Sequence, residues 1–133
     1  MKVTELMQRN VKSIQSEASV AEAILTLADA HISGLPVLDG SGKMVGVVSS
    51  SDVLAAEAEA EDATSRQTLL ESTQVQEIMT RRPYTISQTA EVHEAAQQML
   101  YADVHRLFVT NADTVVGVIS TTDIVRAVAK GQL

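Results

Sequence analysis

The 133-residue sequence has no cysteine and no tryptophan, and its only aromatic residues are Tyr84, Tyr101 and Phe108. The lack of cysteine excludes a disulfide scaffold, a thiol nucleophile and a thiolate zinc site, and leaves the redox compartment open. With so few rings, the apolar 45% of the chain must build an aliphatic core of Val, Ile, Leu, Ala and Met. Such a core suits mixed helix and sheet better than an aromatic-rich β-sandwich. Long apolar runs are also missing, and none approaches the roughly 20 residues that span a bilayer. The first ten residues carry Lys2, Glu5 and Arg9 and lack the apolar stretch of a signal peptide, so a cytoplasmic protein is the simplest expectation. Cations are few: Lys and Arg total 10 against 17 Asp and Glu, a formal net charge of −7. That balance argues against a broad nucleic-acid footprint, which draws on clustered Lys and Arg. A small anionic ligand needs only a local positive field and stays open. His31, His93 and His105 have neither close metal-ligand spacing nor cysteine partners. No Walker loop, Ser-His-Asp order or pair of catalytic acids stands out. No catalytic residue, metal or required cofactor is therefore expected.

What the chain does contain is a repeat. Val3-Thr-Glu-Leu-Met7 aligns with Val75-Gln-Glu-Ile-Met79 at an offset of 72 residues. The same offset places Ile14 on Ile86, Val20 on Val92, Ala23 on Ala95, Leu35 on Leu107 and Val37 on Val109. One residue is then lost in a Gly/Ser/Asp-rich turn, where a duplicated unit tolerates a deletion. Beyond it, Gly46, Ser49 and Asp52 match Gly117, Ser120 and Asp123 at an offset of 71. The repeat divides the chain into a first unit at 1–62, a polar, Ser/Thr-rich linker or flexible segment at 63–73, and a second unit at 74–133.

Both copies show the same order of patterns. Residues 11–14 read as a short strand, and Ser19-Val-Ala-Glu22 as a capping-box pattern that starts a helix. Val20, Ala23, Ile24 and Leu27 give that helix one apolar face. Two strand runs, 35–38 and 44–48, flank the turn Asp39-Gly-Ser-Gly-Lys43. A second helix begins near Ser50 to Asp52 and continues into the Ala/Glu run at 55–62. The second copy repeats this with a strand at Thr85-Ile86, a helix bearing Val92, Ala95, Ala96 and Met99, strands at 107–109 and 115–119, and a final helix from about Thr122. Lys130-Gly131 suits the end of that helix.

Three motifs, occurring twice in the same order, resemble a known family. They are Val3 to Met7, His31-Ile-Ser-Gly-Leu-Pro-Val37 and Val45-Gly-Val-Val-Ser-Ser-Ser-Asp52, with counterparts at Val75 to Met79, Asp103-Val-His-Arg-Leu-Phe-Val109 and Val116-Gly-Val-Ile-Ser-Thr-Thr-Asp123. Over nearly its whole length the chain looks like two consecutive cystathionine beta-synthase (CBS) domains, a Bateman module. The resemblance implies an α+β fold of two tandem βαββα-type units, packed sheet to sheet as one pseudo-symmetric module. It also implies a regulatory module rather than an enzyme. Such a module binds AMP, ADP, ATP or another adenosyl compound in clefts between the units, as in energy sensing, and signals in trans to a protein partner. By resemblance, a homodimer through the helices is expected. A ligand-independent interaction or dimerisation module is the alternative.

The resemblance also assigns residues. In the family's Gly-x-x-Ser/Thr-x-x-Asp motif the hydroxyl and helix start face phosphate and the carboxylate holds ribose, which falls here on Ser49 with Asp52 and on Ser120 with Asp123. Elementary chemistry agrees: a helix start offers unpaired N–H groups to phosphate, and a carboxylate accepts from paired ribose hydroxyls. The structural alternative is that these residues only cap their helices. His105 and Arg106 occupy the place of a basic pair that some members use for phosphate, and a guanidinium grips phosphate as a fork. The first copy has Ser33 and Gly34 there, so the site reached by Arg106 is expected to bind more tightly. Ser13 with Ile14 and Thr85 with Ile86 fall where the family lines its adenine pocket, or serve as ordinary strand residues. Phe108 replaces Pro36 and alters the second copy.

Overall fold

The structure is a computed structural model that describes residues 1–81 and 84–133. It contains two three-stranded sheets, each flanked by helices, in two compact units: Lys12–Pro83 in one, and Met1–Val11 together with Tyr84–Leu133 in the other. The architecture is α+β, as the family resemblance implies.

In the first unit, β1 (Ile14–Gln15) runs parallel to β2 (Gly34–Leu38), which is antiparallel to β3 (Met44–Ser49). The parallel pair needs a crossover, and α1 (Val20–Ala30) supplies it. Ser19 starts α1 by accepting from the Glu22 N–H at 3.1 Å. The helix then buries Val20, Ala23 and Leu27, the face read from the 3.6-residue period. Leu27 and Ala23 pack on Ile14, Leu35, Val37 and Val48 from the three strands. Fully burying such a side chain contributes about 1.5–3 kcal/mol. The hairpin between β2 and β3 is tied by Asp39, whose Oδ1 accepts from the Ser41 and Lys43 N–H groups at 2.9 and 3.0 Å.

α2 (Ser50–Glu59) follows β3 directly, and the Ala/Glu run extends it as far as Glu59. The segment read as a linker is instead mostly a helix, α3 (Ala63–Ser72). Asp62 caps it by accepting from the Ser65 N–H at 2.7 Å, and Arg66 reaches back to Glu57 of α2 at 2.8 Å. Polar composition hid this helix because α3 buries no residue fully and so shows no apolar stripe. A short helix, α4 (Val75–Ile78), completes the unit and places Val75 in its core.

The second unit repeats the plan with β4 (Thr85–Ser87), α5 (Val92–Ala102), β5 (Arg106–Asn111), β6 (Thr114–Ser120) and α6 (Thr121–Ala129). Its core joins Ile86, Ala95, Met99, Leu107, Val109 and Ile119, the counterparts of the first set, with Val3 and Met7 from the N-terminal segment. Among the described residues, no helix is long and apolar enough to cross a membrane.

The compact units are offset from the sequence repeats. The 3-10 turn at Val3–Glu5 leads the first copy but packs with the second copy's sheet, while α4 leads the second copy and packs with the first. Each leading segment ends by bridging the edge of that sheet. Gln8 exchanges main-chain hydrogen bonds with Val118 of β6 at 2.8 and 2.9 Å, and Thr80 exchanges them with Val47 of β3 at 2.8 and 2.9 Å.

Candidate functional site

In both units the last strand turns straight into a helix, and the turn is built by the Ser and Asp of the repeated motif. Ser49 stands before α2 with extended backbone, and its Oγ accepts from the Asp52 N–H at 3.2 Å. Asp52 replies through Oδ2, which accepts from the Ser49 N–H at 2.8 Å and the Ser49 hydroxyl at 3.0 Å. Ser120 and Asp123 form the same reciprocal box before α6, at 3.2 and 2.8 Å. This box satisfies two main-chain donors at once and is the local reason each helix starts where it does.

The other carboxylate oxygen has a separate environment. Asp52 Oδ1 accepts from the Thr80 hydroxyl at 3.2 Å. Asp123 Oδ1 accepts from the Gln8 carboxamide at 3.3 Å and lies 3.5 Å from the Arg126 guanidinium. Asp123 is 7% exposed, the one buried charged residue among those described. Gln8, Thr80 and Arg126 were not picked out by sequence reasoning. The signal was present for two of them, because Gln8 and Thr80 occupy the same repeat position, 72 residues apart.

Arg106 opens β5 directly opposite Ser120 in the antiparallel register. Cross-strand partners of this kind hold their Cβ atoms about 4.5–5.5 Å apart. Arg106 is exposed and makes no ion pair or hydrogen bond with a side chain among the described residues. The carbonyl of His105 receives the Thr121 N–H at 2.9 Å, which ties the start of β5 to the start of α6. Ser33 and Ser50 make the corresponding contact in the first unit, also at 2.9 Å, and there Gly34 faces Ser49.

The strand candidates lie farther from these helix starts. Ile14 and Ile86 are 6% and 7% exposed and belong to their core clusters, which leaves little of either side chain for a ligand. Ser13 is exposed just before β1. Thr85 is half-buried, pairs with Phe108 two residues along β5 from Arg106, and its carbonyl accepts from Gln98 at 2.9 Å. The structure thus brings Ser49 to Asp52, and Ser120 to Asp123 and Arg106. It places Ile14, Thr85 and Ile86 on strands two positions across the sheet from those helix starts, with Ser13 just ahead of Ile14.

Two α+β units that share a helix-start motif define a tandem pair of like modules. The CBS domain family model matches residues 3–59 and again 75–130, so the chain belongs to the CBS domain family. Inosine-5′-monophosphate dehydrogenase of Methanocaldococcus jannaschii is 30% identical over 126 residues, which are 94% of this chain and 23% of that enzyme. The structure of CBSX2 in complex with AMP superposes with a TM-score of 0.82 at 27% identity, covering 99% of this chain and 98% of that one. The CBS domain pair of protein MJ0100 in complex with 5′-methylthioadenosine and S-adenosyl-L-methionine gives 0.77 at 26%, covering 96% and 99%. This chain spans 59% of the full length of CBSX2 of Arabidopsis thaliana.

Proposed function

We propose that the chain is a non-catalytic sensor that binds an adenosyl ligand (AMP, ADP, ATP or a related compound) at the starts of α2 and α6 and passes its ligand state to a partner protein. One observation carries this reading. In both units an Asp is held through Oδ2 against the main chain at a helix start, while Oδ1 is approached by side chains. A carboxylate so fixed is pre-organised to accept from ribose hydroxyls, and the adjoining helix start favours phosphate. The AMP complex of CBSX2 and the adenosyl complexes of MJ0100 support the ligand class. A homodimer belongs to the same reading. Apolar residues stand exposed on the helices of both units, among them Leu25, Leu54, Leu100 and Val125, as a self-complementary interface would use.

A ligand-independent interaction module is favoured by a different fact: Ser49, Asp52, Ser120 and Asp123 are already employed as caps. Thermal unfolding with AMP, ADP, ATP and S-adenosylmethionine separates the two readings. A ligand at about 100 times its dissociation constant stabilises the native state by about 2.7 kcal/mol. Asp52→Asn and Asp123→Asn, each compared with and without ligand, show which unit is responsible. A well-folded protein that no ligand stabilises belongs to the interaction-module class.

A further inference from the structure

Each unit has an apolar groove between two of its helices, and the two grooves differ in charge and in the order of their side chains. In the second unit, Ala96 and Leu100 of α5 and Ile124 and Val125 of α6 line a groove of about 380 Å³. Leu100 is 84% exposed, and Val128, one turn beyond Val125 on α6, is also exposed. The repeat sets Ile24, Ala28, Val53 and Leu54 at the matching places in the first unit, where they line a groove of about 390 Å³. There the counterpart of Val128 is Glu57, which meets Arg66 of α3 at 2.8 Å. Helices α1 and α2 carry five Asp and Glu and no Lys or Arg, whereas α5 and α6 carry only Glu94, Asp123 and Arg126. The compact units repeat the contrast. Lys12–Pro83 holds five Lys and Arg against eleven Asp and Glu, a formal −6, while Met1–Val11 with Tyr84–Leu133 holds five against six, a formal −1.

Resting on the homodimer proposed above, we infer that it is joined by the second unit of each protomer, the α5/α6 groove of one copy against the α5/α6 groove of the other about a two-fold axis. Shape and charge both select this pairing. Ala96 and Leu100 stand one turn apart on the same edge of the groove, a small residue and then a large one. Antiparallel helices related by a two-fold axis set Leu100 over the partner's Ala96, and Ala96 under the partner's Leu100, so that large meets small twice. In the first unit the order is reversed, with Ile24 before Ala28. Joining unlike units would press Ile24 on the partner's Leu100 and leave Ala28 facing the partner's Ala96, one contact overpacked and the other a void. Joining the two first units restores the match of sizes but brings the five carboxylates of α1 and α2 against five more, a repulsion that the second units avoid.

The chain has no cysteine, so a single introduced thiol can cross-link only copy to copy. Full-length Leu100→Cys is expected to give a covalent dimer with a short bis-maleimide. Leu54→Cys is expected to give none, and a mixture of the two variants should yield only the Leu100 product, with peptide mapping identifying the joined residues. Sedimentation velocity supplies a second measurement without a cross-linker. Val128 is 57% exposed, so glutamate there leaves the core alone and copies the first unit's Glu57. Val128→Glu should weaken the dimer at least tenfold, about 1.4 kcal/mol. A product through residue 54, alone or joined to residue 100, overturns the pairing of second units but leaves the homodimer standing, as does an undiminished dimer in Val128→Glu or a dimeric Leu100→Cys that does not cross-link. A wild-type chain that sediments as a monomer at every concentration overturns the homodimer and this pairing with it, while ligand binding still answers to thermal unfolding.

Discussion

Met79 covers Gly46 so closely that a Cβ on the glycine would stand 2.7 Å from the methionine Sδ and 2.7 Å from the main-chain oxygen of Thr80. Gly117 is covered in the same way by Met7, with the Gln8 carbonyl oxygen 2.9 Å from the Cβ position. The glycines let a leading segment lie flat on a sheet edge, where Thr80 bridges Val47 and Gln8 bridges Val118. A thioether can swing aside, but a bridged carbonyl cannot. Gly46→Ala and Gly117→Ala should each destabilise the protein by about 1–3 kcal/mol, the range for overpacking. Urea unfolding measures this, and a change below about 0.5 kcal/mol in both variants would show that the segments yield freely.

Asp123 and Asp52 have the same cap chemistry but differ in burial. Removing Asp52 takes away a half-exposed cap and should cost about 1 kcal/mol. Removing Asp123 also strands the Gln8 carboxamide and the Ser120 N–H at a site only 7% exposed, so Asp123→Ala should cost more, about 1–3 kcal/mol. Equal losses in chemical denaturation would mean that the Gln8 contact contributes nothing to stability.

Much of this was legible in the sequence because it is local. Ser19 before Val20, the glycines of the 39–43 turn, and the alternation in β3 each announce an element through neighbouring residues. The repeat then doubled every signal. What escaped was either unpatterned or distant. α3 buries nothing fully and has no periodic stripe to read. The pairing of Gln8 with Asp123 joins residues 115 apart, and no propensity or spacing rule reaches that far. Repeat alignment matched residues to their counterparts and so assigned Met1–Val11 to the first copy by order, whereas packing sets it against β6 of the second. The paired glycines at 46 and 117 were the available clue, since a repeated glycine inside a strand marks close approach of another backbone.

His31 and Asp103, 72 residues apart, end α1 and α5 in the left-handed conformation, at φ 52° and 54°. This place in a helix terminus is commonly taken by glycine, which has no Cβ to strain. Glycine should therefore stabilise at both positions, by about 0.5–1 kcal/mol at His31. The gain at Asp103 should be smaller, because a short polar side chain tolerates this conformation better. Thermal midpoints of the two single variants provide the comparison, and a loss of stability in His31→Gly would contradict it.

Two carboxylates make stability depend on acid in a predictable direction. The hydrogen bonds from the Ser41 hydroxyl and the main chain of Ser41 and Lys43 hold Asp39 below its usual value, and the Ser65 N–H does the same for Asp62 at the start of α3. A group whose folded value is depressed contributes stability that is present above its unfolded value and is lost as pH falls through the folded one. Asparagine keeps an oxygen acceptor in both places but does not titrate there. Wild type and the double variant Asp39→Asn/Asp62→Asn should therefore differ by a constant amount above about pH 5, and the difference should shrink steadily down to about pH 2. Urea unfolding across that interval decides the point: a difference that stays constant over the whole range would mean that neither carboxylate gains from being ionised in the folded protein.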